Sequence, residues 1–227
     1  MSSNEVPALL LSGGRPRTDE ASFTKMLSLA FENKVKPKVA YIGAANGDSV
    51  LFFQAMKLFL LKAGAASVKM VRLAKKNINI EKAKNDLSSA DVIFISGGEV
   101  EDGMNWLKTH DLAEFLSMLY TEGKQFLTVS AGSIMMGKYW VRWDVPGDDS
   151  TSSLFDCLGI VPHTFDTHAE SEDWIELKAA LKLMGDGSRG CGIRSGGMIS
   201  ADSKGVIVNI KKELLVYVNE KGQIREL

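Results

Sequence analysis

The sequence predicts an α/β fold in which a mainly parallel sheet is covered by helices on both faces. Short apolar runs alternate with amphipathic helical patterns over about the first two-thirds of the chain, which is typical of such sheets. Most of these runs are apolar throughout, as expected for strands buried on both faces. Beyond residue 190, short apolar runs are separated by glycines and polar turns, which predicts a small antiparallel C-terminal part. The expected architecture is a three-layer sandwich.

The apolar runs predict five strands with helices between them. The strand runs cover residues 8–14, 38–43, 68–73, 91–96 and 126–129. The helical patterns begin at Thr18 and cover residues 50–62, 80–87 and 104–119, with a break near His110. A further capped helix is predicted over residues 171–183. Because no linker interrupts the 227 residues, one domain over 1–227 is expected.

Charge and composition exclude several classes of function. The 27 Lys and Arg residues nearly balance the 28 Asp and Glu residues, so binding to nucleic acid or to an anionic membrane is not expected. No apolar segment is long enough to span a bilayer and residues 1–7 lack a signal-peptide pattern, which predicts a cytoplasmic protein. Cys157 and Cys191 form neither a disulfide framework nor a metal-ligand spacing, so no metal or other cofactor is expected.

The stretch over residues 125–137 carries the first candidate for chemistry. A buried strand over residues 126–129 runs directly into Ser130, and small residues follow at Ala131 and Gly132. A serine on a sharp strand-to-helix turn projects its hydroxyl from the sheet edge, beside N–H groups that can stabilise a developing negative charge. The stretch predicts a nucleophilic serine, although an ordinary buried turn would have the same local pattern.

Other loops are expected at the same edge of the sheet. The carboxyl ends of parallel strands meet there, which brings residues 12–14, 44–46 and Gly97–Gly98 towards Ser130. Consecutive glycines let the backbone approach a ligand and point N–H groups at it. Together with the N–H of Ala131, they could form an oxyanion hole. This coincidence favours the nucleophile over the ordinary turn.

A nucleophilic serine needs a base, and the chain has three histidines. His110 lies in a helix connection and is expected to be exposed on the surface. His163 and His168 lie downstream in a loop-like segment, where they point to opposite faces, so one of them is expected to face the site. The carboxylates that could orient the base are Asp144, Asp148, Asp149, Asp156 and Asp166, and their spacing does not choose among them.

Four segments together resemble the S51 serine peptidases, a family that includes dipeptidase E and the cyanophycinases. They are Ser96-Gly97-Gly98, Ser130-Ala131-Gly132, Trp143-Asp144-Val145-Pro146 and residues 158–168. The resemblance implies a fold like that of class I glutamine amidotransferases, which is flavodoxin-like, with serine in place of cysteine. By position in the family's motifs, it implies Ser130 as nucleophile, His168 as general base, Asp144 as orienting acid, and Gly98 and Ala131 as oxyanion donors beside Gly97.

The chain departs from the family pattern at several positions. Thr128, Thr167 and Glu99 replace a glycine, a proline and an asparagine of the family. The aspartyl dipeptidases carry arginines shortly after the histidine, whereas residues 170–176 contain none. Loss of this counter-charge argues against a pocket for an N-terminal aspartate, and Trp174 suggests an apolar or cationic side chain instead. The substrate-binding candidates are Glu99, His163 and Trp174.

The resemblance implies a serine hydrolase that cleaves short peptides through a Ser-His-Asp triad. We expect a dipeptidase or an aminopeptidase-like exopeptidase without strict Asp specificity, acting as a monomer or homodimer on small peptides. Two alternatives stay open at this point. The three departures would also suit a non-catalytic binding member of the fold, and the same machinery would suit a hydrolase of other amides or esters.

Overall fold

The computed structural model describes residues 8–14, 19–145 and 147–227. Thr18, predicted to start the first helix, and Pro146 of the family motif lie outside these residues, as do residues 1–7. The helices are α1 Glu20–Ser28, α2 Val50–Lys62, α3 Ile80–Ser89, α4 Val100–Thr109, α5 Ala113–Thr121, α6 Ala131–Ile134 and α7 Ile175–Met184. The strands are β1 Leu9–Ser12, β2 Lys38–Ile42, β3 Ser67–Val71, β4 Val92–Ile95, β5 Gln125–Val129, β6 Tyr139–Trp143, β7 Ser152–Asp156, β8 Thr164–Thr167, β9 Arg189–Ile193, β10 Met198–Ala201, β11 Ile207–Lys211, β12 Leu215–Glu220 and β13 Gln223–Glu226.

The predicted α/β fold with a mainly parallel sheet is confirmed. The large sheet has the strand order β11-β10-β1-β5-β4-β2-β3. The five strands from β1 to β3 in this order pair in parallel, whereas β10 and β11 extend the sheet in antiparallel fashion beyond β1. The C-terminal strands are thus divided between two sheets, because β13-β12-β9-β8 form a second sheet in which β8 and β9 are parallel. Strands β6 and β7 form a separate two-stranded ribbon.

The parallel strands are buried on both faces, which explains their continuous apolar runs. Successive side chains of a strand point to opposite faces. In β4, Val92 and Phe94 belong to one apolar cluster, while Ile93 and Ile95 belong to another. Helices cover each cluster, so the residues of both faces are removed from water. Burial of apolar surface on two faces is the main force that holds these strands in place.

Helix starts follow the capping residues of the sequence in the first half of the chain. Asp19, Ser49 and Asn79 each accept a hydrogen bond from a backbone N–H three residues later. Such a cap typically contributes about 1 kcal/mol. The predicted capped helix over 171–183 differs, because α7 begins at Ile175 without a side-chain cap. Trp174 stands before it in a left-handed conformation (φ 56°), which breaks the helical path.

His110 is not exposed as predicted. Its side chain is buried, and its Nε2 lies 2.9 Å from the carbonyl oxygen of Leu73. The ring also stacks on Trp106. The polar contact and the ring contact together explain how a histidine between two helices becomes part of the packed interior.

In the part of the chain that the structure describes, no helix combines the length and the apolar character needed to cross a membrane.

One buried carboxylate ties the loop after β2 to the end of β3. Asp48 has a left-handed backbone (φ 55°) and is nearly inaccessible to solvent. Its Oδ2 accepts hydrogen bonds from the N–H groups of Leu73 at 2.6 Å and Ala74 at 2.7 Å. Buried N–H groups that lose their acceptor keep their full desolvation penalty.

We expect Asp48→Ala to lower the free energy of unfolding by about 2–4 kcal/mol, since it leaves two N–H groups unpaired and places alanine at positive φ. Asp48→Asn keeps an acceptor oxygen and tolerates this backbone conformation, so less than half of the loss is expected. Urea unfolding of both variants measures the difference. Equal losses in the two variants would contradict the role given to the Asp48 oxygen.

Candidate active site

Ser130 occupies a strained turn between β5 and α6. Its backbone has φ 54° and ψ −128°, a conformation that non-glycine residues rarely adopt. Its N–H donates to the carbonyl of Ser12 at 2.9 Å, and its own carbonyl accepts from the N–H of Ser133 at 2.7 Å. The main chain is therefore held on both sides of the turn, and the Ser130 side chain projects at the carboxyl edge of the sheet.

Neighbouring backbone segments approach this turn so closely that only glycine fits. A Cβ atom at Gly132 would lie 2.4 Å from the carbonyl oxygen of Ile95. A Cβ atom at Gly97 would lie 2.9 Å from the Cβ of Ser130. Separations below 3 Å are not seen between such atoms in proteins. The end of β4 and the turn at Ser130 are thus in direct contact.

Thr128, which replaces a glycine of the family pattern, lies in the buried interior next to Ser133 and not at the surface beside the Ser130 hydroxyl. Its Oγ1 is 2.8 Å from the Oγ of Ser133 and is fully buried. The Ser133 hydroxyl donates to the Ser12 carbonyl at 2.9 Å and accepts from the Ser12 N–H at 3.1 Å. These hydroxyls connect β1, β5 and α6 below Ser130. The threonine therefore does not block access to the Ser130 hydroxyl.

His168 contacts Ser130 directly. Its Nε2 lies 2.7 Å from the Ser130 Oγ, within the reach of a hydrogen bond. The residue follows β8 with φ 46°, and its backbone N–H donates to the carbonyl of Ile193 in β9 at 2.9 Å. Among the described residues, the Nδ1 of this ring has no hydrogen-bond partner. The arrangement brings the predicted nucleophile and the predicted general base together across two different sheets.

The glycine pair after β4 is positioned by the loop that follows β2. Asn46 donates through Nδ2 to the Gly97 carbonyl at 2.8 Å, and the N–H of Glu99 donates to the Ala45 carbonyl at 2.7 Å. Gly98 has φ 148°, and a Cβ atom there would lie 2.0 Å from the Ala45 oxygen. Gly98 and Ala131 both line the cavity at Ser130 and His168, whereas Gly97 lines a neighbouring cavity that Gly98 and Ser130 also line.

The cavity at Ser130 and His168 is small and acidic. Its volume is about 160 Å³. Four carboxylate side chains line it, and no lysine or arginine does so among the described residues; the four are Glu99, Asp166, Glu172 and Glu176. Trp140 also lines the cavity and donates through Nε1 to the Oε2 of Glu176 at 2.7 Å. The cavity therefore combines the Ser130–His168 pair with a concentration of negative charge.

Asp166 is the most buried of these acids, at 4% exposure. Its Oδ1 accepts from the N–H of Thr167 at 2.7 Å, while its Oδ2 has no hydrogen-bond partner in the described part of the chain. Burial first, and then the negative charge of Glu176, raise the pKa of the Asp166 carboxyl to about 7. Burial also raises the pKa of Glu176, against the hydrogen bond from Trp140, which lowers it.

The structure does not bring Asp144 to His168. Asp144 is exposed on the turn after β6, and its N–H donates to the carbonyl of Thr151 at 3.4 Å. It does not line the cavity, and its carboxylate makes no hydrogen bond to His168 among the described residues. This arrangement does not support the predicted orienting role of Asp144. Strand β6 pairs with β7 in the separate ribbon, and Asp144 lies on the exposed segment between these two strands.

Two of the three predicted substrate-binding residues also lie elsewhere. The His163 Nε2 is 2.9 Å from the Gly205 carbonyl oxygen, outside the cavity. Trp174 is a core residue, because its ring packs against Gly192 and within a buried apolar cluster. Glu99 does line the cavity. Sequence reasoning missed the contributions of Trp140, Glu172 and Glu176; the acidic run over 170–176 was the available signal.

The model of peptidase family S51 matches residues 8–208. The crystal structure of a peptidase from an acI-B1 Actinobacterium is similar, with a TM-score of 0.70 and 18% identity over 98% of this chain and 94% of that chain. A putative peptidase E protein from Listeria monocytogenes EGD-e has a TM-score of 0.65 and 14% identity over 92% of this chain and 100% of that chain. A search of curated proteins gave no match.

We expect Asp166→Asn to stabilise the protein increasingly as pH rises. The folded-state pKa of about 7 lies above that of an unfolded aspartate, so the folded state binds more protons and loses stability as pH rises from 4 to 7. The wild-type loss would reach about 4 kcal/mol at most, which the asparagine variant avoids. Urea unfolding between pH 4.5 and 8 measures this difference, and Asp102→Asn on the exposed side of α4 is the control. A difference that does not change with pH would contradict the assignment.

Proposed function

We propose that this chain, which belongs to peptidase family S51, is a serine exopeptidase that removes single residues from short peptides with Ser130 as nucleophile. The family match covers residues 8–208, so the chain belongs to a family of serine-type peptidases. The exopeptidase activity and the role of each residue are our proposal. The observation that carries it is the 2.7 Å separation between the Ser130 Oγ and the His168 Nε2 at the wall of one cavity.

In the proposed reaction, the Ser130 oxygen attacks the carbonyl carbon of the scissile peptide bond while His168 Nε2 takes the hydroxyl proton. The tetrahedral intermediate collapses, the C–N bond breaks, and His168 returns the proton to the leaving amine. A water molecule then attacks the acyl-enzyme while His168 takes its proton. The C–O bond to Ser130 breaks, His168 returns the proton to the Ser130 oxygen, and the carboxylic acid product leaves. No cofactor is needed for these steps.

The oxyanion of the intermediate is proposed to bind the N–H groups of Gly98 and Ala131. Both residues line the cavity beside Ser130, and Ala131 is the first residue of α6. One such donor typically contributes about 3 kcal/mol to stabilisation of the transition state. The bonds from Asn46 and Glu99 to neighbouring backbone carbonyl groups support this arrangement by fixing the glycine loop.

The cavity carboxylates are proposed to stabilise the His168 imidazolium in place of a hydrogen-bonded acid. The charge of His168 is close enough to Glu176 to lower the pKa of that carboxyl, against the larger effect of burial. Carboxylates in the same cavity would stabilise the positive charge that the imidazole carries transiently during acylation. The proposal therefore describes a serine–histidine pair in an acidic cavity, without a role for Asp144.

A non-catalytic binding protein is the second candidate. It is favoured by the Nδ1 of His168, which has no hydrogen-bond partner among the described residues, so that no acid fixes the ring's tautomer.

The proposed setting is the cytoplasm, which the two free cysteines suit. Small peptides are the proposed partners of a monomer or homodimer.

Ser130→Ala is expected to lower turnover of short peptides by about four to six orders of magnitude, since it removes the attacking oxygen. Turnover is measured on a library of dipeptides and tripeptides, with circular dichroism to verify folding. Ser130 should also react with a fluorophosphonate, forming an oxygen–phosphorus bond with loss of fluoride.

His168→Ala should lower the rate of that labelling by at least about 100-fold, in line with the contribution of a general base. His163→Ala is the matched control, because His163 lies outside the cavity, and it should label at the wild-type rate. Full peptidase activity in pure Ser130→Ala protein would refute the mechanism, and folded wild-type protein that neither labels nor cleaves peptides would favour the binding protein.

A further inference from the structure

The cavity beside Ser130 contains more carboxyl groups than the proposed reaction requires. One carboxylate would be enough to stabilise an imidazolium, yet Glu99, Asp166, Glu172 and Glu176 all line a space of about 160 Å³. Burial raises the pKa of Asp166 and of Glu176, and neighbouring acids add to it: Glu176 and Glu172 raise the pKa of Asp166, while Glu172 and Glu99 raise that of Glu176. Like charges so placed disfavour one another's ionised forms, and a positive charge in the cavity would stabilise those forms.

Asp166 supplies an independent sign of a missing partner. The residue is 96% buried, which follows from its 4% exposure, and it lines this cavity. Its Oδ2 has no hydrogen-bond partner among the described residues. Buried carboxylate oxygens are nearly always hydrogen-bonded, so an unpaired one on a residue that lines a cavity points to a donor supplied by a ligand.

The volume of the cavity and the arrangement of its four carboxyl groups indicate an organic cation as the ligand. No group of three or more His, Cys, Asp or Glu side chains in the described ranges has an arrangement that could hold a metal ion. The cavity is also smaller than the roughly 300 Å³ at which typical small-molecule pockets begin, so it admits one substituent of a larger molecule. An ammonium or guanidinium group fits both constraints, because it donates several hydrogen bonds to dispersed carboxylates.

We propose that this acidic cavity binds a positively charged group of the peptide substrate, either its N-terminal ammonium or the side chain of a lysine or arginine next to the scissile bond. The proposal rests on the proposed function for the identity of the substrate as a peptide. Recognition comes from charge-assisted hydrogen bonds to Asp166 and Glu176. An acidic substrate group would be repelled by the same carboxylates.

Trp140 fixes the geometry of this recognition. Its Nε1–H holds the Oε2 of Glu176 at 2.7 Å, which leaves the other carboxylate oxygen for the ligand. Its indole ring also lines the cavity, and a tryptophan ring attracts cations to its face. Glu176 and Trp140 lie on different elements, α7 and β6, so the site is held by packing between the helix and the ribbon.

The test uses Ser130→Ala protein, so that binding is measured without turnover. Isothermal titration calorimetry with three probes separates the two sources of charge. Argininamide carries both charges, N-acetylargininamide lacks the ammonium, and citrullinamide keeps the ammonium but has a neutral side chain. We expect argininamide to bind at least about 10-fold more tightly than whichever analogue lacks the recognised charge. If both analogues bind as tightly as argininamide, the proposal is overturned.

Two substitutions locate the site, each added to Ser130→Ala. Glu176→Gln and Asp166→Asn keep the size and a hydrogen-bond acceptor but remove the charge, and each should weaken argininamide binding at least about 10-fold. Glu114→Gln on the exposed surface of α5 is the matched control and should leave binding unchanged. Equal binding by all variants, or equal weakening in the control, would overturn the proposal.

This experiment distinguishes failure of the inference from failure of the proposed function. Charge-dependent binding to Ser130→Ala protein, lost in the cavity variants, supports the inference even if the wild type cleaves no peptide. Cleavage of neutral peptides by the wild type, with charge-independent binding, would support the peptidase and refute the cation site.

Discussion

The positive φ of Ser130 is the constraint on which the site depends. The sheet must bring β1, β4 and β5 close enough that only glycine fits at Gly97 and Gly132, and the Ser12 carbonyl then fixes the Ser130 N–H. A turn of this kind is unfavourable by itself and persists because the surrounding strands over-determine it. The packing of the whole sheet is thus used to hold one hydroxyl group at its edge, in a direction that an unstrained turn would not give.

The site also contains two buried carboxyl groups. Asp166 and Glu176 are buried where ionised carboxylates are unfavourable, and both have raised pKa values for that reason. A fold selected for stability alone would fill such positions with apolar side chains. Their presence beside Ser130 and His168 lowers the stability of the unliganded protein. This is consistent with the proposed binding of a positively charged group.

The sequence was informative where structure is decided locally. Short-range patterns predict the buried strands, the capped helices of the first half of the chain and the turn at Ser130. The position of His168 beside Ser130 was predicted from its place in a family motif. The locations of Asp144, His163 and Trp174 outside the cavity depend on which strands pair and which faces pack. No local sequence pattern contains that information. Glu176 shows the same limit, because the acidic run is visible in the sequence but the direction of α7 relative to the cavity is not.

The division of the Ser130–His168 pair between two sheets has a consequence for biosynthesis. Ser130 belongs to the large sheet, whereas His168 follows β8, which requires β9, and β9 in turn pairs with β12. His168 can therefore be held beside the Ser130 hydroxyl only after β9 and β12 have left the ribosome and joined the second sheet. Until then, a nascent chain can form the turn at Ser130 but lacks the strands that hold His168, so the proposed reaction depends on completion of the second sheet.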